Sequence, residues 1–539
     1  MRNYHYYNLL IVLPLAFLVI FFYYPILFIL QKAFVQNGSF TFDVFTNIFQ
    51  QNWQRSVIFF TFKQAILSLF FTLLIGLPIT LVFSYYDFPF KDKIRAVLMV
   101  PFVLPGISVA LGFILFYGQQ GFVNKILSFF NLNIQILYSL KAILMAHVFY
   151  NVPLLVKMLC DTLESFNSNL IISSRTLGAN RFISFFKVTI PCIMPALINV
   201  SVLIFLYCFM SFGIVLVLGD IKYTTIEVNI FIFVKHLLET EKGIALSCIQ
   251  VLISLIMLTL SSIFTKKNER VLGLTKGPKQ LSTPLFKKIN SLKVISIIVL
   301  SLFLVFIISP LLSIFVYSFK TFLLFLTKLF QFDPYIGTYT YQPILNSVIL
   351  GSLVALISLI ISLLFRISLS HCKYRKAIES LILLPLGISG ITFSLGYLFI
   401  FKSAMHKPFI LLVIAQSIIC LPFCYSSISA AIDSVGINLI HSAQSLGAGM
   451  KKTYIKVVLP LIYKPLITAL SFSFAISLGE ISSASMLANR FVTIPICIYR
   501  YISARQFASA TNMSLLLIFT AIVVFSVGEK IKYLNFERN

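Results

Sequence analysis

The sequence predicts an all-α polytopic membrane protein: twelve transmembrane helices arranged as two parallel six-span repeats. Three observations carry that prediction. Of 539 residues, 59% are hydrophobic and only 11% charged, with a mean hydropathy of +0.98; soluble domains hold about 25% charged and about 45–50% apolar residues. Apolar runs of roughly 20 residues, the length that crosses a bilayer as a helix, recur along the whole chain. A segment of the first half also returns in the second without gaps. Composition excludes a soluble enzyme, a disordered chain and a nucleic-acid-binding domain. The runs are continuous Leu/Ile/Phe/Val stretches and not alternating segments, which excludes a barrel.

The first run, Asn8 to Gln31, is too long for the apolar core of a secretion signal, and no small-x-small cleavage pattern follows it, so it reads as a retained span. Spans follow near 57–83, 96–117, 138–159, 191–218 and 244–265. A polar segment, 266–293, separates these from six more near 294–318, 345–366, 378–401, 408–428, 460–487 and 509–529. The expected organisation is a six-span domain over 1–265, a basic cytoplasmic linker over 266–293 and a second six-span domain over 294–539. The net charge of +26 (42 Lys+Arg against 16 Asp+Glu) sorts by loop. With both termini inside, 27 of the 42 cations are cytoplasmic, eight of them in the linker. Cytoplasmic loops carry the Lys/Arg excess, so the charge is a topology signal and not a polyanion site. The eight cysteines show no C-x-x-C spacing; Cys420 and Cys424 share a helix face as buried small hydrophobes.

The repeat is explicit. Pro153–Pro191 aligns on Pro422–Pro460 at an offset of 269, with 12 of 39 positions identical. Asn169-Leu170-Ile171, Ser173, Leu177-Gly178-Ala179, Lys187-Val188 and Pro191 recur as Asn438-Leu439-Ile440, Ser442, Leu446-Gly447-Ala448, Lys456-Val457 and Pro460. Upstream, Pro101, Gly106 and Gly112 match Pro385, Gly390 and Gly396; downstream, Thr225-Ile226 matches Thr493-Ile494. Six spans per half is an even number, so the halves share one orientation, and a path between them lies along an axis normal to the membrane.

The repeated segment falls in a cytoplasmic loop between spans four and five. Leu163, Phe166 and Leu170 have helical spacing and Leu177 continues that face. Gly178 suits the left-handed position that ends a helix. Asn180 suits the cap of a second short helix, which closes before Pro191 opens the fifth span. The expectation is a helix–turn–helix elbow under the membrane, with small Gly-Ala pairs permitting close approach of another protein, and a second copy over 432–460.

These segments resemble the "EAA" loop of binding-protein-dependent ABC importer permeases, E-A-A-x-x-x-G, a spacer and then I-x-L-P. Gly178 and Gly447 match its central Gly; Ser173-Ser174-Arg175 and Ser442-Ala443-Gln444 stand where the family has Glu-Ala-Ala. The resemblance covers nearly the whole chain as two fused permease domains of the ABC importer type I permease fold. It implies that Ser173, Leu177, Gly178, Ala179 and Pro191, with Ser442, Leu446, Gly447, Ala448 and Pro460, couple the membrane core to two ATP-binding cassette subunits. ATP and Mg would bind those partners, the chain itself needing no cofactor. The resemblance also implies a periplasmic solute-binding protein, docked on 33–56, 219–243, 319–344 or 488–508, and a bacterial inner membrane. Tyr117-Gly118-Gln119-Gln120-Gly121, Ala146 to Pro153 and Thr224 to Val228 resemble the fused permeases of ferric iron and thiamine importers, with ferric iron the expected substrate and thiamine the alternative.

Glu480 is the only acid read inside a span away from its ends. A carboxylate at the bilayer centre costs about 2.5–3.5 kcal/mol on insertion scales, so it must face protein or water. With Gly479 and the matching Ser211 it is a candidate for the translocation pathway; the alternative is a structural hydrogen bond across the interface of the halves. His147 and Asn151 share a helix face, where interhelical hydrogen bonding outweighs a metal-site reading, and no set of His, Cys and carboxylates has metal-ligand spacing. No G-x-x-x-x-G-K-[ST] occurs, so energy must come from a partner. The rival class is a secondary transporter driven by an ion gradient, which would want several intramembrane charges.

Overall fold

A computed structural model describes residues 11–36, 38–164, 167–274, 283–285, 291–372, 374–402, 406–488 and 491–533. The termini, Phe166 and residues 275–282 and 286–290 of the expected linker lie outside these. Three two-residue β ladders are the only sheet among the described residues; everything else ordered is helical. Among the described residues ten helices are long and apolar enough to cross a membrane: Ile11–Phe34, Asn52–Tyr85, Gly106–Ser128, Leu140–Glu164, Phe182–Phe209, Thr240–Leu260, Lys293–Thr327, Gln342–Ser368, Pro408–Ser434 and Phe507–Val524. Two further spans are bent pairs, Arg375–Gly387 with Gly390–Ile400 at 97° and Tyr454–Leu461 with Tyr463–Gly479 at 67°. All twelve expected spans thus have a counterpart.

Four spans expected to be continuous are broken, at matching places in the two halves. The third divides into Lys91–Val103 and Gly106–Tyr117 around Leu104-Pro105, and the ninth breaks before Gly390. The fifth helix stops at Phe209 and resumes as Gly213–Leu218; the eleventh stops at Gly479 and resumes as Ser482–Leu487. Proline lacks the N–H of the helical ladder and clashes with the preceding turn, which accounts for the break beside Pro105. At the fifth span, Gln64 Nε2 donates to the Cys208 carbonyl at 2.7 Å, beside the Ser211 N–H at 3.3 Å, so a side chain of the second span reinforces the end of the broken helix.

The loops 219–243 and 488–508, expected as outer docking loops, instead send short helices back into the bundle. Ile226–Lys235 and Ile494–Ser503 are largely buried, and the first carries a fully buried acid, Glu227. Each is started the same way. The Ile226 N–H donates to Thr61 Oγ1 at 3.0 Å, and the Ile494 N–H donates to Ser347 Oγ at 2.8 Å. A hydroxyl on the second span of each half thereby satisfies an N-terminal donor that the helix itself cannot. The matched Thr-Ile pairs of the sequence mark these two starts.

The halves lock by exchanging their first spans. Ile11–Phe34 packs on Gly390–Ile400 of the second half, and Lys293–Thr327 packs on Gly106–Tyr117 of the first. A methyl at Gly112 would lie 2.7 Å from the Pro310 carbonyl oxygen, and one at Gly396 would lie 2.8 Å from that of Pro25. Small residues at such crossings let helix backbones approach where lipid gives no hydrophobic driving force. Tyr397 Oη donates to the Phe21 carbonyl at 2.7 Å and Ser313 Oγ to that of Gly112 at 3.2 Å, one from each exchanged pair. The linker also returns to the first half: Thr283–Pro284 pairs in parallel with Tyr86–Asp87.

Candidate functional site: two elbows and a cavity between the halves

The elbows form as matched turns on one face of the bundle. Ser168–Thr176 ends at Leu177, and Ile437–Ser445 ends at Leu446. Gly178 and Gly447 follow at φ +87° and +84°, the left-handed conformation in which glycine carries no Cβ penalty. The Ala179 N–H then reaches back to the Ser174 carbonyl and the Ala448 N–H to that of Ala443, both at 3.1 Å. In the first elbow Asn180 Oδ1 accepts the Ile183 N–H at 2.8 Å, starting the second short helix; in the second elbow Gly449 stands there. The expected shared face of Leu163 with Leu177 is not present. The fourth span ends at Glu164, Leu163 is buried in the bundle and Leu177 projects away from it.

Leu177 is 88% exposed and Leu446 89%. Nothing lies within 4 Å of a Cβ placed on Gly178 or Gly447. Both leucines top their turns, and the small residues beside them leave room for a flat partner surface. Ser173 and Ser442 are exposed at the last turns of their helices, and Ala179 and Ala448 half-buried after them.

Past each elbow the helix widens. Phe185–Thr189 and Tyr454–Val458 are π-helical turns directly ahead of Pro191 and Pro460. Each proline ring would clash with the carbonyl four residues back, and the wider turn relieves that clash. Pro191 therefore sits second in Ile190–Phe209, inside a continuing helix and not at its opening.

Ion pairs tie the root of each elbow to the neighbouring broken span. Arg95 donates to Asp161 at 2.7 Å and to Glu164 at 2.8 Å. In the second half Arg375 pairs with Glu379 at 2.8 Å and with Asp433 at 3.2 Å, and Arg366 also reaches Asp433 at 2.5 Å. Asp161 and Glu164 lie in the last turn of the fourth span and Asp433 in that of the tenth. Arg95, within Lys91–Val103, and Arg375, first in Arg375–Leu383, lie on the segments that lead, through the breaks, to Gly106 and Gly390.

The breaks at Gly106, at 210–212 and at Glu480 border a cavity of about 360 Å³ between the halves; the Gly390 break lies beside it, a Cβ there falling 3.0 Å from Glu480 Oε1. Glu480, Gly479 and Ser211, read separately from the sequence, all line it, together with His147, Asn151 and Tyr150. Glu480 is not inside a helix: it occupies the break after Gly479, and its Oε1 accepts the Ser483 N–H at 3.0 Å. His147 Nδ1 shares a hydrogen with Ser68 Oγ at 2.8 Å, while its buried Nε2 has no protein partner. Asn151 Nδ2 reaches the Cys208 sulfur at 3.2 Å. Behind the cavity, Gln250 Nε2 donates to Glu227 at 2.6 Å and Gln250 Oε1 accepts from Thr392 of the second half at 2.7 Å. Sequence reading missed Glu227, placed in an outer loop, and Tyr207, Phe423 and Phe472, which apolar runs conceal. Among the described residues no group of three or more His, Cys, Asp or Glu side chains could hold a metal ion.

No family model matches the chain. Relatives align along nearly all of it. It is 26% identical over 489 residues to the thiamine transport system permease protein ThiP of Haemophilus influenzae, covering 88% of each chain. It is 22% identical over 502 residues to that of Escherichia coli, covering 91% of each. A solved bacterial ABC transporter involved in the import of alginate aligns over 49% of this chain and 96% of its own, at 19% identity and a TM-score of 0.42. The duplicated elbows and the full-length relatives point to one class, the fused two-domain permeases of ABC importers, which this multi-pass chain resembles along nearly its whole length. Within it, the resemblance to the ferric iron and thiamine permease group holds, and the full-length relatives named above are thiamine permeases.

Proposed function

We propose that the chain is the permease subunit of an ABC importer for thiamine or a close chemical relative. Two ATP-binding subunits, carrying ATP and Mg, dock on the elbows at 161–190 and 430–459, and a periplasmic solute-binding protein delivers solute to the opposite face. The observation that carries the coupling is the pair of solvent-facing leucines at identical glycine turns. Burying one such side chain contributes about 1.5–3 kcal/mol, and two leucines held in water by matching turns suit a paired partner. Thiamine rests on the relatives. The ferric iron expected from the sequence draws no support from them.

The geometry supplies a route from partner to cavity. Movement of an elbow pulls on Asp161 and Glu164, or on Asp433, and so on Arg95 or Arg375. Arg95 lies on the segment that ends at the cavity-lining Gly106 break, and Arg375 on the one that ends at Gly390, beside Glu480. Closing the elbows together would turn both breaks at once and change which face the cavity meets, a two-state equilibrium biased from both sides. On this reading both termini and the linker face the cytoplasm, and the domain limits are 1–265 and 294–539. An ion-gradient transporter would need no paired docking loops.

The test is uptake of labelled thiamine and labelled ferric iron by a strain lacking the gene. Lost thiamine uptake with unchanged iron uptake is the expected result. Normal uptake of thiamine removes this substrate, and lost iron uptake alone reinstates the sequence-based expectation.

A further inference from the structure

The cavity between the halves has a one-sided chemistry. Its lining residues include His147, Tyr150, Tyr207, Phe423, Phe472 and Glu480. One carboxylate is present among them and no lysine or arginine. Four aromatic rings share the wall, and Phe423 and Phe472 meet edge to face at 5.6 Å between centroids. A carboxyl alone in a low-dielectric site is costly to ionise, and a cation beside it offsets that cost. Ring faces carry negative quadrupole charge and attract a cation within about 6 Å of their centroid. The buried His147 Nε2, without a protein partner, adds an unused hydrogen-bonding atom on the same wall.

We propose that this cavity receives a flat organic cation, with Glu480 as its counter-charge, the aromatic side chains against its faces, and His147 Nε2 and Asn151 available to a polar ring edge. An anion would meet Glu480 unscreened, and a neutral ring would leave the carboxylate uncompensated. The Ser483 N–H fixes one oxygen of Glu480, so the carboxylate is oriented before the solute arrives. This inference rests on the importer reading and deepens it to a substrate class. Thiamine, a thiazolium cation joined to an aminopyrimidine, belongs to that class.

The experiment is a binding titration of the purified permease, with its ATP-binding subunits, in nanodiscs without the solute-binding protein. The probes are labelled thiamine and its neutral thiophene isostere. Wild type is expected to hold thiamine at least tenfold more tightly than the isostere. Glu480→Gln, which keeps an oxygen for the Ser483 N–H while removing the charge, is expected to abolish that preference by weakening thiamine and leaving the isostere unchanged. Equal binding of the two probes by wild type, binding of neither, or a Glu480→Gln loss shared equally by both would overturn the proposal. Normal thiamine uptake by the strain lacking the gene, with the charge preference intact in the nanodisc, would instead refute the importer reading alone.

Discussion

At the scale of single residues, the most telling side chains are Leu177 and Leu446, which stand in water at two corners that glycine alone turns without strain. Neither touches the fold it belongs to closely enough to be needed for it. Leu177→Glu combined with Leu446→Glu is therefore expected to leave membrane insertion and thermal stability unchanged. It should weaken capture of the ATP-binding subunits at least about a hundredfold, given about 1.5–3 kcal/mol per buried leucine. Quantitative co-purification checks this, and undiminished capture would refute the docking role. The elbow residues were legible in sequence because a turn, unlike a lipid-facing helix, demands a particular residue: the left-handed φ needs Gly178 and Gly447. Glu227 was not legible. It sits in a polar stretch that resembles an outer loop, and only the fold returns that stretch to the interior.

At the scale of elements, the breaks decide the architecture. A hydropathy reading joins 96–103 to 106–117 and 460–479 to 482–487, because both sides of each break are equally apolar. Nothing in apolar content records that the backbone changes direction at Leu104-Pro105 or Glu480-Ile481. The arginine clamps connect the elbows to the breaks of the third and ninth spans, at Leu104-Pro105 and before Gly390. The Arg95 pairs are partly exposed, with side chains 23%, 58% and 30% accessible, so their contribution to stability is about 0–1 kcal/mol each. Arg95→Met with Arg375→Met should therefore fold with at most a small drop in melting temperature. Transport per ATP hydrolysed should nevertheless fall at least tenfold, because movement of the elbow no longer reaches the break. Coupled uptake and hydrolysis in proteoliposomes measures this ratio, and an unaltered ratio would dismiss the clamps as couplers.

At the scale of the whole molecule, two halves in parallel orientation follow from six spans each, and that much was readable from the repeat. Their exchange of first spans was not, since pairing between distant helices leaves no periodic signature. It becomes visible as Gly112 under Pro310 and Gly396 under Pro25. Gly112→Leu should separate the halves: expressed as two chains divided between 278 and 279, wild-type halves are expected to co-purify and those with Gly112→Leu to lose most of that association. Overpacking of a close crossing typically costs about 1–3 kcal/mol, and intact association would show that this crossing does not hold the pair. The same two-half frame makes the mechanism measurable. Spin labels on Leu177→Cys and Leu446→Cys, with the partly exposed Cys192 and Cys372 replaced by serine, report the separation of the elbows in the assembled transporter. ATP binding is predicted to shorten that distance. A distance unchanged by nucleotide, in a complex that still imports its solute, would contradict the transmission of work through the elbows.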